Sequence, residues 1–405
     1  MRFRSLAALF ACLLVGGAGV DAGAQTLPAE PIAFAGGAIT FGGDISAAFA
    51  PDDPGFFNYT DYEHSALRMF RVDLTGSMRA GEHVSFLGEL RSENIQHPEA
   101  YALYARIRPW VGRRFDIQIG RIPPTFGAFA RRTYASDNPL IGYPLGYQYL
   151  TSLRPDSLPA NADELLRMRG RGWLSNFSIG NLNPDRGVPI ASAFRWDTGI
   201  EVHAASDVAD VSVAVTTGTL SNPLFRDDNA GPQIAGRIAI RPVAGLVAGV
   251  SAARGPFLTT AAARAAAGGG RAHEFVQTAY GVDAEYSRDY YLLRVEALFG
   301  QWTIPAVGAP FIEAPLGAAA CSVEGRYKIA PGLYAGARFD HLGFSEVTGS
   351  AGPQTWDAPV TRVEVGTGYS IQRNLIWKVS YQHNTRDTVR TPNLKIVATE
   401  VVFWF

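Results

Sequence analysis

The sequence predicts an all-β chain, a transmembrane antiparallel β-barrel of about sixteen strands. Three observations predict it. Apolar residues are plentiful, at 47% of 405, while charged residues reach only 18%. The apolar residues are dispersed at period two, in segments of about ten residues, as strands with one lipid-facing side require. The connections between segments alternate between short and long, as in a barrel whose two ends differ.

The chain begins with a segment set apart from this pattern. Arg2 and Arg4 precede an apolar run from Ser5 to Val20, and Ala22-Gly23-Ala24 offers an A-x-A cleavage site. This is the layout of a secretory signal peptide, so residues 1–24 are expected to be removed and 25–405 to form the barrel. Phe10 stands where a lipoprotein signal prefers a small residue, so Cys12 reads as part of the discarded segment. Cys321 is then the one remaining cysteine, which allows no intramolecular disulfide. With 36 basic and 37 acidic residues the chain has no electrostatic footprint for nucleic acid. No run of about eighteen apolar residues follows, so no transmembrane helix is expected.

The strand-like segments are 38–49, 67–79, 83–93, 100–108, 114–121, 191–204, 209–219 and 232–241. The series continues with 244–254, 275–287, 290–302, 318–329, 332–344, 360–371, 375–385 and 394–405. Short turns such as Ala80-Gly81-Glu82, Pro242-Val243 and Gln372-Arg373-Asn374 alternate with longer connections, of which 122–190 is by far the longest. An even strand count puts both chain termini on the short-turn, periplasmic side.

Opposite charges recur two residues apart. The pairs are Arg71 with Asp73, Glu89 with Arg91, Arg195 with Asp197, Arg294 with Glu296, Glu324 with Arg326, Arg338 with Asp340 and Arg362 with Glu364. Arg106 and Arg108 join the same face. In a membrane this face must look into the barrel, because a lipid-facing cation costs about 2–4 kcal/mol near the midplane. The intervening Val72, Leu90, Trp196, Val295, Gly325, Phe339 and Val363 would then face lipid. Tyr286, Tyr291, Tyr327, Tyr369 and Trp377 fall on that outer face beside short turns, where an aromatic girdle would sit.

The last strand carries Val397, Thr399, Val401, Phe403 and Phe405 on its outer face and ends on the final aromatic. This resembles the terminal assembly signal of bacterial outer-membrane barrels, with Phe403 and Phe405 read by the barrel-assembly machinery. Ile117-Gln118-Ile119-Gly120-Arg121-Ile122-Pro123-Pro124-Thr125-Phe126-Gly127 resembles the "G-(R/Q)-x-K-x-P-F-G" strand exit of phosphate-selective porins. A proline stands at that motif's lysine position and Thr125 at its proline. Taken together the chain resembles the outer-membrane porin superfamily. The resemblance implies an outer-membrane location among lipid, a third external loop (122–190) folded into the lumen, and a homotrimer.

Within that loop Pro123, Pro124, Pro139, Pro144, Pro155 and Pro159 restrict the backbone, and Tyr134, Tyr143, Tyr147 and Tyr149 supply packing surface. Asn161 to Gly170 reads as one short helix, capped by Asn161 and ended by Gly170. Arg121, Arg131, Arg132, Arg154, Arg167, Arg169 and Arg171 are candidates to face permeating anions at a constriction. The competing reading is that they pin the loop to carboxylates of the wall such as Glu89, Asp116 or Asp197.

The function expected is passive diffusion of small hydrophilic solutes with mild anion preference. The alternative is a non-conducting barrel with a structural or surface-binding role. The histidines show no metal-ligand spacing, and no nucleophile, P-loop or paired catalytic carboxylates stand out, so neither an enzyme nor a cofactor is expected. Residues 25–37 are too few for the plug of a TonB-dependent receptor.

Overall fold

The computed structural model describes residues 30–60, 64–183, 186–194, 196–224, 226–267, 271–305 and 307–405, without the side chains of Arg131, Trp173 and Ala267. The expected signal peptide and Arg195 lie outside the described residues.

Period-two alternation produces sixteen barrel strands in chain order. They begin with β1 Ile39–Phe49, β2 Phe70–Arg79, β3 Val84–Glu93, β4 Glu99–Ile107, β5 Phe115–Ile122 and β6 Asp197–Ala205. The next are β7 Ala209–Thr216, β8 Gln233–Val243, β9 Leu246–Pro256, β10 Val276–Arg288 and β11 Tyr291–Trp302. The circuit ends with β12 Leu316–Ala330, β13 Leu333–Phe344, β14 Val360–Gln372, β15 Leu375–Arg386 and β16 Asn393–Trp404. Each strand pairs antiparallel with the next, and β16 returns to β1, with Asp44 opposite Trp404 and Phe49 opposite Thr399. Closure leaves no free sheet edge. A three-residue strand, Ile32–Phe34, folds back on β1 through a tight turn.

One end of the barrel carries the short turns and the other the long loops. At the turn end Tyr291 pairs with Tyr327, and Tyr369 with Trp377, all four exposed on the outer face. Their amphipathic rings mark one boundary of an apolar belt made by residues such as Val295, Phe339 and Val363. A belt of this kind around a closed barrel is a membrane-spanning surface.

Two local expectations fail at the same place. Residues 191–194 and Trp196 do not extend β6; they are buried inside the barrel at the end of the long loop. Trp196 is therefore not lipid-facing. It is buried against Tyr101 and Tyr104, with ring centroids at 5.4 and 6.5 Å. An apolar face too long for the strand was filling the lumen instead.

Candidate functional site

The site is the lumen, and its shape is set by the connection 123–196. This loop turns into the barrel and packs Phe126, Phe129, Tyr143 and Tyr147 against a wall of Ala235, Ala253, Ala279, Ala318 and Ala320. Small inward residues on β8 to β12 leave the width that the loop aromatics fill. Gly127 shows how close the approach is. Its φ is +71°, and a β-carbon there would lie 2.0 Å from the Tyr147 hydroxyl and 2.9 Å from Glu296 Oε1. The expected helix forms at Ala162–Arg167, with the Asn161 side chain accepting from the Glu164 amide at 3.0 Å.

The charged inner face is paired almost rung by rung. Arg71 donates to Glu93 at 2.7 Å and to the Tyr143 hydroxyl. Arg91 donates to Asp73 at 2.5 Å and lies 3.6 Å over the Tyr101 ring, while Tyr134 donates to Glu89 at 2.5 Å. Across β10 to β14 a continuous chain runs from Glu285 through Arg294, Glu324 and Arg338 to Glu364, with Asp340 also on Arg338. Arg106 faces Asp116 at 3.6 Å, Arg326 lies over Tyr334, and Arg108 is exposed at the turn end. Asp197 accepts from the Gly218 and Leu224 amides and so closes the loop after β7. Arg71, Arg91, Arg338 and Arg362 are buried within protein, so this part of the wall is not a wet surface. Removing one member of such a buried pair costs about 3–5 kcal/mol, because the other charge is left uncompensated.

Four wall or loop groups anchor the long loop. Arg362 donates to the carbonyls of Tyr143 at 3.0 Å and Phe57 at 2.9 Å. Arg386 donates to the carbonyl of Gly55 at 3.0 Å and to the Tyr149 hydroxyl at 3.3 Å. Glu296 accepts from Tyr147 at 2.5 Å and from the Ala128 amide at 2.7 Å. Asp357 accepts from the amides of Ser152 and Gly170, both at 2.7 Å. Burial pushes the Asp357 carboxyl above its ordinary range, and these amides pull it part of the way back.

The loop arginines are not brought together in a ring. Arg121 lies at the end of β5 opposite Leu103, which is 61% exposed, so it belongs to the outer face and not to the lumen; its Nε donates to the Tyr101 carbonyl at 3.2 Å. Arg154 is buried and donates to the Gly172 and Ser175 carbonyls at 2.7 and 2.9 Å. Arg167 pairs with Glu164 and Arg169 reaches Thr355, both at the loop end, where Arg171 is exposed. Arg132 meets Glu285 at 2.5 Å. Arg131 has a described backbone only.

Further ties reach β1 through Asp44, β4 through Tyr101, β9 through Ser251 and β13 through Tyr334, so the loop is held around most of the wall. Three cavities lie on one side of the lumen, two against the inward faces of β7 and β8 and one against the loop that follows β7. At the loop end about 90 Å³ lies between Leu150, Pro155 and Arg186 on one side and Ser221 to Pro223 on the other. Midway a neck of about 30 Å³ is lined by Pro124, Phe126, Asp197, Thr216, Gln233 and Ala235. Toward the turn end about 240 Å³ is lined by Arg132, His203, Asp210, Arg237, Asp283 and Glu285. A water needs about 10–15 Å³, so the middle cavity has room for about two waters and the lower chamber for many. Arg237 holds Asp283 at 2.7 Å and Arg241 holds Asp210, so the lower chamber is polar but largely charge-compensated.

Arg237, Asp210, Asp283 and Glu285 were missed as a group in the sequence. A search for opposite charges two residues apart passes over Asp283 and Glu285, which carry like charges on one face. That pattern was the available signal, since two inward carboxylates require cations from elsewhere.

Among the described residues no cluster of His, Cys, Asp and Glu is arranged to hold a metal ion. No protein-family model matches the chain, and no curated protein sequence matches it. Solved structures do resemble it. OmpF of Salmonella typhi, solved with daunomycin, matches at 11% identity over 91% of this chain and 97% of its own, with a TM-score of 0.57. An anion-selective porin from Comamonas acidovorans matches at 10% identity over 91% and 99%, with a TM-score of 0.56. The outer-membrane channel DcaP of Acinetobacter baumannii matches at 11% identity over 92% and 99%, with a TM-score of 0.52. The closed sixteen-stranded barrel, its apolar belt and its charged interior give this chain the fold of the outer-membrane porins.

Proposed function

We propose that the chain is an outer-membrane channel through which small hydrophilic solutes diffuse along β7 and β8, past an inward-folded third loop. The loop end faces outward from the cell and the turn end faces the periplasm in this reading. The observation that carries it is the series of three cavities beside β7, β8 and the loop after β7, two with charged linings and a narrower, mainly apolar one between them. The loop's ties run around β1 to β4, β9 to β11 and β13 to β15, and the cavities lie in the gap between them, beside β7 and β8.

The lining supports weak ion preference and not the strong field of an arginine ring, because the cations of the lower chamber have carboxylate partners. We extend the proposal to a homotrimer, inserted by the barrel-assembly machinery. The neck of about 30 Å³ favours a second reading, a barrel that does not conduct until the loop moves. Single-channel recording of the purified barrel in planar bilayers tests both. Discrete steps of small conductance support the channel, and a silent, correctly folded barrel supports the second reading.

A further inference from the structure

The outer face of the barrel has a charge pattern that the channel does not use. Every Asp and Glu on the sixteen strands shares the lumen side of its strand. The cations that register places on the outer face are Arg121, Arg254 and Lys395 near the loop end and Arg288 at the turn end. Arg254 stands out because a trough lies directly below it.

In the rung below Arg254, Val213 pairs with Gly236, Gly236 with Ala252 and Ala252 with Tyr280. Two small residues between two large ones leave a groove of about 750 Å³ on the outer surface. Its upper end is closed by Arg254, which is exposed and donates to Thr278 at 3.3 Å. Its lower end is closed by Ile238 and Val250, the next outward pair. Leu246, opposite the girdle residue Tyr286, lies eight residues below Arg254 on β9. That is about 27 Å along the strand and about 20 Å along the membrane normal at the usual tilt. An apolar belt is about 25 Å tall, so Arg254 reaches the headgroup level of the loop-side leaflet.

We propose that this groove binds a phosphate-bearing lipid of the loop-side leaflet, with an acyl chain over Gly236 and Ala252 and the phosphate on Arg254. A guanidinium matches a phosphate by paired hydrogen bonds, and the groove offers apolar walls at acyl depth. A second copy of the chain is the other occupant to weigh. It would bring an outer strand face with no carboxylate, and Arg254 would meet only apolar or cationic side chains. Charge complementarity selects the lipid. The assignment holds whether or not the lumen conducts.

The test uses the folded full barrel in mild detergent, with bound lipid read by native mass spectrometry. The probes are phosphatidic acid and diacylglycerol of the same acyl chains. Wild type retains phosphatidic acid over diacylglycerol, and R254Q lowers that retention about fivefold, the effect of one interfacial cation. Gly236→Leu is a second variant, since a β-carbon there has ordinary contacts only. It fills the trough without disturbing the fold and lowers retention of the same lipid. Equal retention of the two lipids, or wild-type retention by R254Q, overturns the proposal. Full competition by inorganic phosphate overturns it in favour of a free-anion site. Disulfide cross-linking between copies through Ala252→Cys, in a Cys321→Ser background, overturns it in favour of a second copy.

Discussion

Tyr147 donates its hydroxyl to Glu296 at 2.5 Å, joining the long inner loop to the β11 wall at the depth of Gly127. Glu296 also holds the Ala128 amide, so one carboxylate fixes both sides of the loop's turn into the lumen. A hydrogen bond to a charged group contributes about 1.5–3 kcal/mol. Glu296→Ala removes two of them and is expected to loosen the neck, raising single-channel conductance and current noise while the barrel stays heat-modifiable. Unchanged conductance would locate the neck's rigidity in the arginine anchors.

The inside-outside assignment has its own test. Val72→Arg, Val295→Arg or Val363→Arg places a cation on the lipid face, at a cost of about 2–4 kcal/mol near the midplane. Each should lower the yield of folded barrel. Thr75→Arg, on the lumen side between Asp73 and Ser77, should assemble normally. Comparable yields from both kinds of variant would contradict the register.

Closure depends on the chain end. The Phe405 amide donates to the Gly43 carbonyl and the Gly43 amide to the Phe405 carbonyl, both at 3.0 Å, at the β16–β1 seam. Deleting Phe405 removes this pair together with an aromatic stacked on Phe403. Less heat-modifiable protein in the membrane fraction is the expected result.

Ion preference can be moved from the lower chamber. Arg237→Gln leaves Asp283 without its principal cation, beside the path and partly shielded from bulk water. At an effective dielectric near 20, a unit charge 4 Å from a passing ion acts with about 4 kcal/mol, against about 1 kcal/mol in water. The reversal potential under a salt gradient should shift toward cation selectivity. No shift would mean that solutes do not pass this chamber.

Asp357 gives a pH dependence. Its folded pKa is raised by burial, so its titration favours the docked loop below the ordinary carboxylate range, and that contribution is lost as pH rises through the folded value. Asp357→Asn removes the titration and turns an amide group toward the Ser152, Gly170 or Ala358 N–H. Hydrogen exchange of residues 150–172 should show less protection in D357N. The wild-type advantage should be larger at pH 4 than at pH 7.

The barrel was legible because its outer face obeys one local rule. Fourteen-residue stretches did not have to be compared; Phe70, Val72 and Leu74 against Arg71 and Asp73 set the face of β2 without any partner. The lumen was less legible, since its geometry depends on which distant groups meet. Asn161 declared its helix locally, whereas the bond from Arg362 to Tyr143 spans 219 residues of chain. Trp196 was misread for the same reason. Its local alternation fits a strand, and only the closed barrel makes the lumen available to bury it. Arg121 erred in the other direction, since one residue of parity at a strand end separates lumen from lipid.

Arg362 and Arg386 grip the loops mostly by main-chain oxygens, those of Phe57, Tyr143, Gly55 and Arg390. A grip on carbonyls is indifferent to the side chains those residues carry. In the orientation proposed above, the loops on the outside of the cell can therefore change side chains under pressure from whatever recognises them, while their backbone stays held to the wall.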